Sequence, residues 1–371
     1  MIDFQTYSSS LDSDVENGVP ARVTAVHKER YELALEGGSV SANGFAAVNG
    51  PVSGRGGSVT VYGRLKTAAY YGGGGVFQDF PTVGDYVLIE YNGSGDSRIL
   101  KTLPRKTFFS RRDPTPGRGE QAVAANFDTV FVMASLNHDL NLKRLERYLT
   151  LSWQSGAMPV ILLTKADLAG DAAAPLAEAV REIAMGVDVL SVSAVSGYGL
   201  ECLSPYLLSG KTVVFLGSSG VGKSSLVNAL MGERLMEVKE IREDDSRGRH
   251  TTTHRQLITL PSGAFVIDTP GMRELGMWDV SAGLGEAFGD VEAYFGKCRF
   301  SDCRHEKEPG CAVKRAIAAG ELSGERWNSY LNLKREAKYS DDKAGFMRER
   351  QQWAKSIAKW SKQNKKANGA K

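Results

Sequence analysis

The octapeptide GSSGVGKS at residues 217–224 constrains the fold of this chain more than any other stretch. It is a complete G-x-x-x-x-G-K-[ST] loop. It follows the apolar run TVVFL and opens a helix-spaced segment, 224–231, that stops at Gly232. A strand–loop–helix unit of this kind is suited to hold phosphate. The glycines let the backbone N–H groups of Gly217, Ser218, Ser219, Gly220, Val221 and Gly222 turn inward, and the helix N-terminus adds its positive end. Lys223 is expected to reach the β- and γ-phosphates, Ser224 to bind Mg²⁺, and Ser225 to extend the cradle.

The surrounding pattern agrees. DTVFVMA, PVILLT, VDVLSVS and TVVFLG read as short buried strands, separated by helix-like segments at 142–154, 174–184 and 200–208. Such alternation predicts a parallel sheet covered on both faces. RQLITL and AFVIDT add two strands, and beyond about Asp279 the strand signal ends. The first ~110 residues differ: short alternating stretches (21–26, 86–91) between Gly-rich breaks predict a small all-β domain, with barrel and sandwich both open. At 371 residues, two or three domains are expected. The reading is a β domain (1–110), an α/β domain (111–279), a small C-terminal module (280–345) and a basic helical tail (346–371).

Two further loops complete a nucleotide hydrolase. FVIDTPG ends a strand at Asp268, whose carboxylate can reach Mg²⁺ through water, and Gly271 offers a backbone N–H to the γ-phosphate. LTKADL follows the strand PVILL; Asp167 can accept from guanine N1–H and N2–H₂ together, a pair adenine lacks. Thr164, Lys165, Ala166 and Asp167 thus form a base-reading loop in which the Lys165 stem covers the base face. Ser193 and Ala194 would set a backbone N–H near guanine O6. These features select GTP and GDP. In the common order the phosphate loop comes first; here the base loops precede it. Joining the old termini and cutting after D-x-x-G keeps every strand neighbour, so the domain reads as a circular permutation. The segment after Asp268 then leads directly into the C-terminal module.

Cys298, Cys303, His305 and Cys311 form C-x4-C-x-H-x5-C, three thiolates and an imidazole suited to one closed, structural Zn²⁺ site. Cys202 reads as a packed core thiol. With four cysteines a disulfide scaffold is excluded. No apolar run approaches the ~18 residues of a membrane span and the N-terminus lacks a signal pattern, so the cytoplasm and no membrane partner are expected. Net charge is +3, unevenly spread: residues 332–371 carry twelve basic and four acidic groups (+8), leaving 34 basic and 39 acidic elsewhere (−5). A basic tail on an acidic body points to a polyanion such as nucleic acid. In the tail, Trp353, Ile357 and Trp360 share one helical face with lysines beside or opposite it.

Taken together, PTVGDYV, LPRKTFFSRR, QAVAANFD, LTKADL, GSSGVGKSSL, GRHTTTHR, DTPGMRE and CRFSDCRHEKEPGC resemble the circularly permuted, small-ribosomal-subunit-dependent GTPases called RsgA over nearly the whole chain. The resemblance implies an OB-fold barrel, a permuted GTPase domain and a zinc module. It also implies GTP hydrolysis stimulated by the 30S ribosomal subunit during its late maturation. The expected partners are that subunit and its 16S rRNA, and the expected state is a monomer. That family usually has Asn at the position of Thr164, where an amide ties the base loop to the phosphate loop; Thr offers one hydroxyl. After D-x-x-G stands Met272, which cannot orient water as a Gln does. His250, immediately before the threonines expected to close over the γ-phosphate, is the candidate catalytic residue, a role the resemblance supports; a phosphate-contacting or loop-packing role is the alternative. Thr252 is the favoured Mg²⁺-sensing threonine, with Thr251 and Thr253 open. The rival function is an RNA-binding assembly scaffold that uses GTP only as a timer; a third is a general RNA chaperone with a vestigial site.

Overall fold

The structure, a computed structural model, describes residues 18–27, 30–35, 59–66, 80–112, 120–136, 140–233, 255–268 and 281–341. The chain forms two compact units that divide between Leu275 and Gly276.

The first unit begins with a closed five-stranded barrel. Strands β1 (Val19–Val26), β2 (Tyr31–Leu35), β3 (Val59–Leu65), β4 (Tyr86–Glu90) and β5 (Ser97–Thr102) run in the order β1-β2-β3-β5-β4, and β4 pairs back onto β1. Only β3 and β5 are parallel. This is the five-stranded Greek-key closure of an OB-fold. The period-two pattern in the sequence decides the interior: Ala21, Val23, Leu33, Leu35, Val87, Ile89 and Ile99 point inward. Gly63 is required where β3 crosses this interior, because a Cβ there would stand 2.7 Å from Leu33 Cδ1. The strands β6 (Phe108–Arg112) and β7 (Glu120–Ala125) follow as an antiparallel hairpin.

The α/β part contains β8 (Thr129–Ser135), α1 (Leu142–Gln154), β9 (Met158–Thr164), α2 (Ala166–Ala169), α3 (Ala173–Ile183), β10 (Asp188–Ser191), β11 (Thr212–Gly217), α4 (Lys223–Met231), β12 (Arg255–Thr259) and β13 (Phe265–Asp268). The sheet order is β10-β9-β8-β11-β13-β12. The five strands from β10 to β13 are parallel, as the β–α alternation requires, and β12 is antiparallel to β13. Segment 200–208, read as a helix, is a 3-10 helix at Leu200–Tyr206 containing Pro205, whose missing N–H and ring do not suit an α-helical interior. It leaves Cys202 exposed and buries Leu203, so Cys202 is not the core thiol expected from the sequence.

Barrel and α/β sheet are continuous. β1 pairs with β12 through Ala25↔Gln256 and Val26↔Arg255, which makes a single eleven-stranded sheet. Arg22 seals the same junction at its other end. It is 1% exposed, lies between the rings of Tyr86 and Phe265, and donates to Thr212 Oγ1 (2.8 Å) and Asn126 O (3.3 Å).

The second unit contains α5 (Ser281–Ala287), α6 (Gly289–Glu292), α7 (Ala312–Ala319) and α8 (Gly324–Asp341). Its small core includes Phe288, Val291, Val313, Ala316 and Leu333. Arg326, nearly buried, makes a two-pronged contact with Asp290, donates to Ala287 O and covers the Phe288 ring. The tail beyond Asp341, including Trp353, Ile357 and Trp360, lies outside the described residues. Among the described residues no helix is long and apolar enough to cross a membrane.

Candidate nucleotide site and metal centre

The phosphate loop is held from both sides. β11 is buried along its full length and ends at Gly217, where a Cβ would meet Met133 O at 2.8 Å. Gly220 and Gly222 take φ of 73° and 102°, which β-carbons oppose. Val221, 1% exposed, plugs the loop into the sheet–helix core. Ser218 is buried, and Ser219 and Gly220 are exposed at the crest. No side chain caps α4 at Gly222, which leaves a helix N-terminus of the kind that suits an anion, with Ser224 and Ser225 in its first turn. Lys223 folds back over the loop, Nζ donating to Gly217 O at 3.3 Å.

The base-reading loop stands beside it. Thr164 ends β9 and is buried; its Oγ1 donates to Val221 O at 2.6 Å. The tie that an Asn amide would supply is therefore made by a single hydroxyl, because the phosphate loop carbonyl comes within its short reach. Lys165 adopts a left-handed conformation (φ 58°), which turns the chain into α2 and leaves Asp167 exposed in its first turn. The Ala166 N–H donates to Val192 O (3.2 Å) and joins this loop to the next. There Ser193 is 1% exposed, its Oγ accepting from the N–H groups of Val195 and Ser196, with Ala194 packed against the core.

Strand register brings the loops together. Ser135↔Thr164, Leu163↔Ser191, Gly217↔Met133 and Val214↔Ile267 align the carboxyl ends of β8, β9, β10, β11 and β13. One edge of the sheet thus carries residues 164–167, Ser193, Ala194, residues 217–225 and Asp268. Asp268 is half-buried at the end of β13 and pairs with Gln256 across the β12–β13 hairpin. His250, Thr251, Thr252, Thr253, Gly271 and Met272 lie outside the described residues. Sequence reasoning did not single out the Val221 and Val192 carbonyls, which lock the base loop to its two neighbours; a backbone acceptor carries no side-chain signature.

In the second unit the four metal-ligand candidates converge: Cys298 Sγ, Cys303 Sγ, Cys311 Sγ and His305 Nδ1 all lie within 4.8 Å of one another. The sulfurs stand 3.5, 3.7 and 3.5 Å from Nδ1. Tetrahedral zinc with ordinary Zn–S and Zn–N lengths requires about 3.6 Å. Three thiols and one imidazole nitrogen with this spacing fit Zn²⁺ and leave no open position. The Ala312 N–H donates to Cys298 Sγ (3.3 Å) and, as the largest influence, draws that thiol below its ordinary value. Phe295 stacks on His305 at 4.7 Å, and the edge contact of Trp327 fixes the ring further.

A model of the RsgA GTPase family matches residues 102–278. The chain is 42% identical over 335 residues to "Small ribosomal subunit biogenesis GTPase RsgA 2" of Lactiplantibacillus plantarum, covering 90% of this chain and 88% of that protein. The chain belongs to the RsgA GTPase family. A second member, "Small ribosomal subunit biogenesis GTPase RsgA" of Methanosarcina acetivorans, is 48% identical over 265 residues, 71% of this chain and 72% of its own. RsgA GTPases are GTP-hydrolysing enzymes. The fold is shared with the crystal structure of YjeQ from Thermotoga maritima (TM-score 0.60, 24% identity, 85% of this chain and 97% of that one). It is shared also with YloQ, described as a circularly permuted GTPase (TM-score 0.56, 23% identity, 90% and 99% of the two chains).

Proposed function

We propose that this GTPase acts in late maturation of the 30S ribosomal subunit, that the subunit stimulates its turnover, and that it contacts 16S rRNA. The names of the relatives support the ribosomal part, and the observation that carries the coupling is topological. Asp268, the acidic end of β13, is separated from α5 of the cysteine unit by residues 269–280 alone. The segment next to the γ-phosphate therefore continues into a separately folded unit. A partner that moves that unit acts on the hydrolytic site through the shortest covalent path available.

GTP binds with its phosphates against the N–H groups of residues 217–222 and the first turn of α4, and Lys223 swings from Gly217 O to the β- and γ-oxygens. Asp167 accepts from the guanine edge, the Lys165 stem covers the base, and the Ala194 N–H serves O6. Ser224, Asp268 and Thr252 would hold Mg²⁺, which supplies charge neutralisation at the β- and γ-oxygens. His250 positions the attacking water, since Met272 has no group to do so. One structural Zn²⁺ belongs to Cys298, Cys303, His305 and Cys311. The working division is 1–110, 111–279, 280–345 and 346–371, with the basic tail as an RNA-phosphate contact, the monomer as the active state and the cytoplasm as its place.

The test is GTP turnover with and without purified 30S subunits, for the native chain and His250→Ala. Stimulation of the native chain, with binding kept and stimulated turnover lost in the variant, supports the reading. Equal, negligible turnover with and without subunits would favour the scaffold that uses GTP as a timer.

A further inference from the structure

The second unit carries a cavity of about 430 Å³ beside its cysteine cluster. The ligand candidates Cys298, Cys303 and His305 line it together with Phe300, Arg304 and Lys334. Packing fixes this wall. Phe295 stacks on His305 at 4.7 Å and makes an edge contact with Tyr330 at 5.7 Å, and Lys334 Nζ stands 5.5 Å from that Tyr330 ring. The Cys303 N–H donates to Phe300 O at 3.3 Å, and Arg304 lies between Cys303 and His305 in sequence, so the geometry that gathers those two also places its backbone.

Two properties of the cavity point to a ligand. The first is charge. No carboxylate lines it. Arg304 and Lys334 are exposed, and among the described residues neither makes an ion pair. On the Arg304 loop, Glu308 accepts from the N–H groups of Arg304, Glu306 and Lys307 at 3.2, 2.8 and 2.9 Å, so its carboxylate is occupied by the backbone. Asp302 and Glu306 are exposed and lie outside the lining. The second property is an aromatic ring left in water. Phe300 is 43% exposed, and the Arg299 guanidinium lies over it at 5.6 Å. Such a ring gains by burial, and a base has the π-face to stack on it. Cations beside an exposed ring suit a nucleotide, whose phosphate meets the cations and whose base meets the ring.

We propose that this cavity binds one nucleotide of a single-stranded RNA, with the base stacked on Phe300 and the phosphate held by Arg304 and Lys334. The sign of the charge argues against the chain's own C-terminal stretch as occupant: residues 332–371 carry twelve basic and four acidic groups, and like charges repel. The RNA source rests on the ribosomal reading above; the nucleotide chemistry does not.

The experiment uses the full chain, loaded with zinc and GDP, and a short single-stranded RNA as the probe. Phe300→Ala should weaken RNA binding roughly 5- to 150-fold, the loss of one stacked base, and leave the slope of log affinity against log salt unchanged. Phe300→Tyr should bind as the native chain does. Lys334→Gln should lower that slope by about 0.7, the loss of one phosphate contact. Both side chains are exposed, so zinc content and melting temperature should stay native in all three variants. If Phe300→Ala releases zinc, Lys334→Gln alone decides. Native affinity in a zinc-loaded Phe300→Ala, or an unchanged slope in Lys334→Gln, would overturn the site. Cytidine monophosphate is the second probe: binding as tight as that of the RNA would assign the cavity to a free nucleotide and overturn the RNA occupant. The expected RNA results in a chain that 30S subunits do not stimulate would count against the ribosomal reading alone.

Discussion

Thr164 Oγ1 donates a 2.6 Å hydrogen bond to the carbonyl oxygen of Val221, fifty-seven residues further along the chain. One atom pair joins the proposed base-reading loop to the proposed phosphate loop. Val221 is itself anchored in the core, so the contact sets the spacing between the two loops. Thr164→Val keeps the shape and removes the donor. GDP affinity should fall roughly tenfold, about 1.4 kcal/mol, while Thr164→Ser stays near native. Fluorescent-nucleotide titration of the three proteins decides this, and native affinity in Thr164→Val would mean that the tie does not support binding.

Asp167 stands exposed in the first turn of α2, ready for a ligand edge. Asp167→Asn exchanges acceptors for a donor. Guanine nucleotide affinity should drop by about 10- to 100-fold, and xanthine nucleotides, which carry a carbonyl in place of the amino group, should gain. Competition titrations with GDP and XDP measure the ratio. ATP binding equal to GTP binding in the native chain would refute the base assignment.

Lys223→Ala and Ser224→Ala should abolish turnover and leave unfolding unchanged. Both residues lie on the partly open first turn of α4, whereas Leu226 and Val227 carry its packing. Turnover assays paired with thermal melts test this; a large fall in melting temperature would show that the loss of activity is structural.

Cys303→Ser should release the zinc and loosen the second unit, since a small core depends on its metal. The phosphate loop belongs to the first unit, so basal GDP affinity should persist. Stimulation by 30S subunits should fall. Metal analysis, nucleotide titration and stimulated turnover on this one variant separate the three links, and native stimulation without zinc would remove the unit from the coupling path.

Arg22→Met should destabilise the first unit by about 3 kcal/mol, because the buried Thr212 hydroxyl and Asn126 carbonyl lose their donor. Urea unfolding gives the number. The shared sheet also predicts that barrel and α/β part unfold together in the native protein.

What the sequence determined by itself is what depends on near neighbours in the chain. The phosphate loop, the K-x-D loop and the cysteine cluster each fit within about fourteen residues, so spacing alone carries their chemistry. The helix at about 142–154 was legible because its apolar periodicity is local; the Asn141 side chain that caps it, accepting from the Arg144 N–H, came from the structure. Tertiary structure alone decided what joins distant segments. It closed the barrel by returning β4 to β1, which periodicity could not distinguish from a sandwich. It set β12 antiparallel and bonded it to the barrel through Val26↔Arg255. It turned Cys202 outward, since a 3-10 helix presents different residues from those of an α-helix. It also placed the Thr164 hydroxyl on a backbone carbonyl. The physical reason is common to all of these: hydrogen bonds and charges act over a few ångströms in space, and chain separation leaves no trace in residue type.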